Sequence, residues 1–447
     1  MQQRLASANW RAWVPRPVGV LAAGLLFGSL AAPARAQVAY ENEPINYLTA
    51  PVTDPVARLQ RAIDAGQAQL TYDDRHGYLE SVLKSLNISP ASQVLVFSKT
   101  SFQRQRISPK TPRSLYFNDD VYIGWVQGGE VLEGASVDRD LGTIFYTLEQ
   151  EPKDKPKFVR DRGDCLSCHA SSNTRNVPGL LVRSVYSSPS GLPHFGAGTF
   201  RTNHSSPLKE RWGGWYVTGT HGTQRHLGNV VSQDSEHPDQ LDLEAGANLT
   251  DLTSRCDVSP YLRGHSDIVA LMVLEHQVDL HDLITSANYE ARLALRDAAV
   301  LNKMLNQPAD TISPSIHRRL ESAGDKVLKY LLFVDEAPLT DRIRGTSGFA
   351  EEFAARGPCD QQGRSLRQFD LQRRLFKYPC SYLIYSASFD ALPPQVKQYI
   401  YRRLQEILTS QDAGKDFAHL SAADRQAILE ILRATKPDLA EYWKSHP

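Results

Sequence analysis

Sulfur is scarce in this chain of 447 residues, which has five cysteines and three methionines. Five cysteines are too few for a disulfide-stapled scaffold. Cys256, Cys359 and Cys380 stand isolated, so no second close pair exists to complete a four-ligand structural zinc site. Excess charge is missing too: 50 basic residues balance 50 acidic ones. No Lys/Arg stripe interleaved with aromatics occurs, which argues against a nucleic-acid partner, and pairs such as Arg373-Arg374 and Arg402-Arg403 read as solvated helix faces. Beyond the N-terminal region no apolar run approaches the ~20 residues needed to cross a bilayer. No internal repeat is visible. With 22% charged residues and moderate hydrophobicity, the composition is that of a globular chain, and the length suggests two or three domains.

What is present begins at the N-terminus. Arginines without acids lead into the apolar run "VGVLAAGLLFGSLAA" and then "ARAQ", the pattern of a secretory signal peptide over residues 1–36, with cleavage expected after Ala36. Cleavage would remove Arg4, Arg11, Arg16 and Arg35 and leave 46 basic residues against 50 acidic, a mildly anionic mature protein. A periplasmic or otherwise exported location follows as the expectation. No transmembrane segment remains after removal.

The stretch "RGDCLSCHASSNT" holds Cys165, Cys168 and His169 in a C-x-x-C-H arrangement. Chance would place that pattern in about two chains per thousand of this composition. Two intervening residues match the separation of the two vinyl groups on one haem edge, and the adjacent histidine is placed to reach the iron. Cys165 and Cys168 are therefore expected as thioether anchors of one covalent haem c, with His169 as its metal ligand. A redox dithiol is the first alternative, but it needs a strand-to-helix junction in a βαβ unit, and this motif follows the polar "EPKDKPKFVRDRGD". Zinc is the second, weakened by the isolation of the other cysteines.

With this motif and a signal peptide, the chain resembles the c-type cytochromes. "SLYFNDDVYIGWVQGG", "RWGGWYVTGTHG" and "YPCSYLIYSASFDALP" are similar to segments of a group of large, exported, uncharacterised mono-haem proteins. The resemblance implies an electron-transferring cytochrome with a redox partner protein or a small-molecule donor or acceptor. The chain departs from small carriers, in which a methionine ligand follows the motif within about a hundred residues; here the next methionine is Met272. A haem enzyme, peroxidase-like or oxygenase-like with an open sixth iron position, is the alternative favoured by length.

Periodicity predicts an α+β fold. Residues 37–154 read as two short helices, one starting at Asp54-Pro55 and one with Leu79, Val82, Leu83 and Leu86 on a face, followed by an antiparallel sheet over 90–150. Residues 155–264 read as a loop-rich, haem-binding stretch. Residues 265–447 read as mainly helical. They open with a helix of about 39 residues capped by Ser266, followed by a second weakened at Gly324, a stripe of Val396, Ile400, Leu404, Ile407 and Leu408, and a capping box at Ser421 and Asp424.

Candidates for the sixth iron position are His194, His204, His221 and His226 in the loop-rich stretch, and His265, Met272 and His276, which fall at i, i+7 and i+11 and so are expected to share one helix face. Glu275 and His276 also suggest an acid-base pair. Trp212, Trp215 and Tyr216 read as a haem wall or, more simply, as aromatic strand packing. Cys359 and Cys380 could bridge a 22-residue loop, worth about 3 kcal/mol, leaving Cys256 unpaired.

Overall fold

Short β-branched and aromatic runs separated by Asn-Asp-Asp, Gly-Gly and Asp-Arg-Asp-Leu-Gly turns fold as the antiparallel sheet they predict. The computed structural model describes residues 39–412 and 414–446. The signal-peptide expectation for residues 1–36 lies outside them. Strands β1 (Val94–Val96), β2 (Arg113–Phe117), β3 (Val121–Trp125), β4 (Val131–Asp138), β5 (Gly142–Glu149) and β6 (Phe158–Arg160) pair antiparallel with their chain neighbours. The turns are locked by side chains. Asn118 Oδ1 accepts from the N–H groups of Asp120 and Val121, and Asp138 Oδ1 accepts from those of Asp140 and Leu141.

Two helices cover one face of this sheet. Helix α1 (Pro55–Asp64) starts at Asp54, whose carboxylate accepts from Val56 and Ala57 N–H and also takes the Tyr146 hydroxyl at 2.7 Å. Helix α2 (Leu79–Ser85) buries Leu79, Val82 and Leu83, and His76, just before it, lies edge-on to Trp125 of β3.

The middle of the chain is as irregular as its Gly, Pro and Ser content predicts. It holds a one-turn helix α3 (Leu166–His169), a hairpin of β7 (Val182–Val185) and β8 (Thr199–Thr202), and β9 (Trp215–Tyr216). Strand β9 pairs antiparallel with β1 and completes a seven-stranded sheet in the order β6-β5-β4-β3-β2-β1-β9.

Helix α4 (Ile268–Met304) lies against the other face of the sheet, where Gln277 Nε2 donates to the Tyr122 hydroxyl of β3 at 2.7 Å. Its N-cap is Asp267, not Ser266 as expected: the Asp267 carboxylate accepts from Val269 and Ala270 N–H. The Ser266 hydroxyl is occupied instead with stitching the sheet, accepting from Leu95 N–H and donating to the Tyr216 carbonyl.

Helices α5 (Pro314–Leu331), α6 (Phe349–Ala355), α7 (Ala387–Asp390), α8 (Pro394–Leu408), α9 (Ala422–Thr435) and α10 (Pro437–Ser445) follow. The expected α8 stripe is fully buried, and the Ser421–Asp424 box caps α9. Helix α5 runs unbroken through Gly324. This glycine lets α8 approach, because a Cβ there would lie 2.7 Å from Tyr399 Cδ1.

The architecture is therefore α+β as predicted. From Ala39 onward the described residues form one compact unit, in which β9 of the middle stretch finishes the sheet and α4 of the last stretch packs on it. Among the described residues no helix is long and apolar enough to cross a membrane.

Candidate functional site

Cys165, Cys168 and His169 meet on a single helical turn. The His169 N–H bonds the Cys165 carbonyl at 2.9 Å, and spacings of three and four residues bring all three side chains to one side of that turn. The turn is set by Asp161, whose carboxylate accepts from Gly163 and Cys165 N–H. Cys165 is half-buried against the core, whereas Cys168 is exposed.

Burial, then the nearby Asp161 carboxylate, pushes the Cys165 thiol up to about 12. That is opposite to a redox dithiol, whose attacking cysteine is held low. The topological context for a dithiol is missing as well, since the strand before the motif, β6, is an antiparallel edge strand. Zinc is not favoured either. Among the described residues the group of three possible ligands gathered within 4.8 Å is Asp73, His76 and Glu80, none of them in the motif.

His169 Nδ1 lies 3.0 Å from the Gly179 carbonyl oxygen. A carbonyl only accepts, so Nδ1 carries the proton and Nε2 keeps its lone pair, the state of a ligating imidazole with its second nitrogen tied down. The ring rests on Phe145 of β5, with centroids 5.0 Å apart. Desolvation lowers the His169 pKa, against the pull of the Gly179 carbonyl, and so favours the neutral ring.

The loop carrying Gly179 is fixed by α4. Gly179 N–H donates to the His169 carbonyl at 2.8 Å, and Leu180 N–H donates to Asp282 at 3.1 Å. One turn away, Asp279 receives Arg175 at 3.2 Å, Asn203 at 2.8 Å and Arg201. These groups went unnoticed in the sequence. The available signal was the density of ionisable residues, Glu275, His276, Asp279, His281 and Asp282, in a segment otherwise apolar enough for a core helix.

The seven candidate sixth ligands are scattered. No hydrogen bond or ring contact links any of them to His169 among the described residues. His204 and His276 face each other, Nδ1 to Nδ1 at 2.9 Å, and His276 Nε2 meets Ser381 Oγ at 2.8 Å. Both imidazoles are fully buried, with their pKa values pushed down chiefly by desolvation, His204 to about 3. Both nitrogens of His221 are engaged, Nδ1 donating to the Gln224 carbonyl and Nε2 accepting from Asn248 N–H. His226 Nδ1 accepts from Gly228 N–H. His194 lines a surface cleft with Tyr186, Glu236 and Asp239. Met272 is packed in the core at 2% exposure.

His265 precedes α4 and so does not share its face with Met272 and His276, contrary to expectation, because Asp267 caps the helix two residues later. Glu275 and His276 do not work as a pair either. Glu275 is matched with Arg211, and burial raises its carboxyl to about 7 against that arginine. Trp212, Trp215 and Tyr216 are packed in the sheet and its flank, with Trp215 Nε1 donating to the Arg183 carbonyl. Cys359 and Cys380 are both free thiols, the first exposed and the second buried, so the expected bridge is not formed. Cys256 is free and buried as expected.

Comparison with protein-family models, curated proteins and solved structures finds no match to this chain.

Proposed function

We propose that this chain is an exported mono-haem c-type cytochrome that transfers electrons, with Cys165 and Cys168 as covalent anchors and His169 as axial ligand. The observation that carries the reading is the His169 ring, whose Nδ1 proton is held by the Gly179 carbonyl while Nε2 is left to ligate, beside two cysteines on the same turn. The donor set fits the group: an exposed and a half-buried thiol at the required spacing, and a desolvated, neutral imidazole on an aromatic floor. A haem bound there supplies one-electron chemistry at iron. The chain supplies the anchors, the oriented imidazole and, through the α4 carboxylates, a fixed loop behind it. Export rests on the N-terminal sequence pattern.

The engagement of His204, His221, His276 and Met272 elsewhere favours a second reading, a haem enzyme with an open sixth position. Acid-acetone extraction of the purified protein tests the shared premise. Colour should stay on the wild-type chain, with a mass gain of one haem, and should be extracted from Cys165→Ala/Cys168→Ala; bound zinc or fully extractable haem refutes both readings. Optical spectra then separate them. A reduced spectrum unmoved by carbon monoxide supports the carrier, and one that shifts supports the enzyme.

A further inference from the structure

Resting on the haem reading above, we propose that Asp282 is a positioning and tuning residue for His169, acting through one peptide bond. The peptide group between Gly179 and Leu180 has its two polar ends in use at once. Its C=O accepts from His169 Nδ1–H at 3.0 Å, and its N–H donates to Asp282 Oδ1 at 3.1 Å. An amide is a conjugated unit, so a carboxylate drawing on its N–H increases the negative charge on its oxygen. The two hydrogen bonds therefore strengthen each other. The imidazole gains anionic character and becomes a stronger donor through Nε2.

Three features separate this role from mere loop anchoring. Asp279 already ties the same loop down through Arg175, and holds β8 and the residue after it through Arg201 and Asn203, so the loop has a carboxylate anchor besides Asp282. The second Asp282 oxygen makes no hydrogen bond and stands 3.6 Å from Arg201, which with Arg175 favours the charged form against the strong upward pull of burial on this carboxyl, so the oxygen that meets the peptide N–H is not shared with a close ion pair. Gly179 is the residue the contact requires, because a Cβ at that position would lie 2.1 Å from Asp282 Oδ1 and displace it. Asp282 is fully buried, so the relay is not diluted by solvent.

A more anionic axial imidazole favours the oxidised metal, so the relay holds the midpoint potential down. Asp282→Asn keeps the shape and an acceptor oxygen but removes the charge. In the purified holoprotein, covalent haem should be retained, the midpoint potential should move up, and the His169 ring-proton resonances should shift in the NMR spectrum. Unchanged potential and resonances in a haem-loaded variant overturn the proposal. Gly179→Ala provides the same test if Asp282→Asn does not fold: it keeps the carboxylate but pushes it off the peptide N–H, and it should raise the potential likewise, with no change again overturning the proposal. Haem fully extractable from the wild type would instead defeat the haem reading itself, so the two failures are distinguishable.

Discussion

A single carboxylate at Asp267 holds four backbone N–H groups, those of Val269 and Ala270 at the start of α4 and those of Thr346 and Ser347 from a distant loop. Asp267→Ala should therefore cost more than an ordinary cap, about 2–4 kcal/mol, read as a lower urea midpoint. Asp267→Asn, which retains one acceptor oxygen, should lose less. At His169 the corresponding test is spectroscopic. His169→Ala should leave the thioethers but shift the Soret band and the spin state, whereas His204→Ala, His221→Ala and His276→Ala should leave the axial spectrum unchanged if the sixth position is open.

Helix α4 combines two patterns that normally exclude each other. From Ile268 to Leu274 it is apolar on every side, and from Glu275 to Asp282 it buries five ionisable residues. Glu275, Asp279 and Asp282 follow one another at four and three residues along one face, where Arg211, the Arg175–Arg201 pair and the Leu180 N–H meet them. Glu275 and Asp279 each meet an arginine, whereas Asp282 meets a backbone N–H with Arg201 3.6 Å away. Arg211→Ala should cost about 3–5 kcal/mol because it strands Glu275, while Arg225→Ala, which breaks an ion pair reaching solvent, should cost far less. At the α5–α8 contact, Gly324→Val should destabilise by about 1–3 kcal/mol through overpacking against Tyr399. Urea denaturation followed by circular dichroism measures all three.

Across the whole molecule, buried histidines set the acid limit. Desolvation lowers His204 and His226 to about 3 and His281 to about 4, and takes His276 well below its ordinary value. Below the unfolded value of about 6.5 the unfolded chain binds protons that the folded one refuses, so these groups remove stability as pH falls. Glu275 and Glu336, raised by burial to about 7, act in the opposite sense between about 4.5 and 7, because there the folded chain keeps protons that the unfolded one releases. Four histidines outnumber the two carboxyls, so the offset is only partial down to about pH 4.5. Below that Glu275 and Glu336 are protonated in both states and no longer offset the histidines, each of which removes up to about 1.4 kcal/mol per pH unit. The melting temperature should fall gently from pH 6.5 to 5 and more steeply below about 4.5; a single slope throughout would show that the carboxyls do not offset the histidines.

Local patterns by themselves determined the meander, because the β-branched and aromatic runs of β1–β5 pair with chain neighbours and the Asn118 and Asp138 turns between them are closed by their own side chains. They also determined the cap at Asp54, the α8 stripe and the one-turn motif of Cys165, Cys168 and His169. What lies behind His169 was decided only by the tertiary structure. Gly179 is ten residues beyond it and Asp282 more than a hundred, and their hydrogen bonds depend on α4 packing across the sheet. The fates of His204 and His276, seventy-two residues apart, were closed to sequence reading for the same reason. An imidazole offers the same two nitrogens to iron, to a second imidazole or to a backbone carbonyl, and only the surrounding packing fixes which partner it meets.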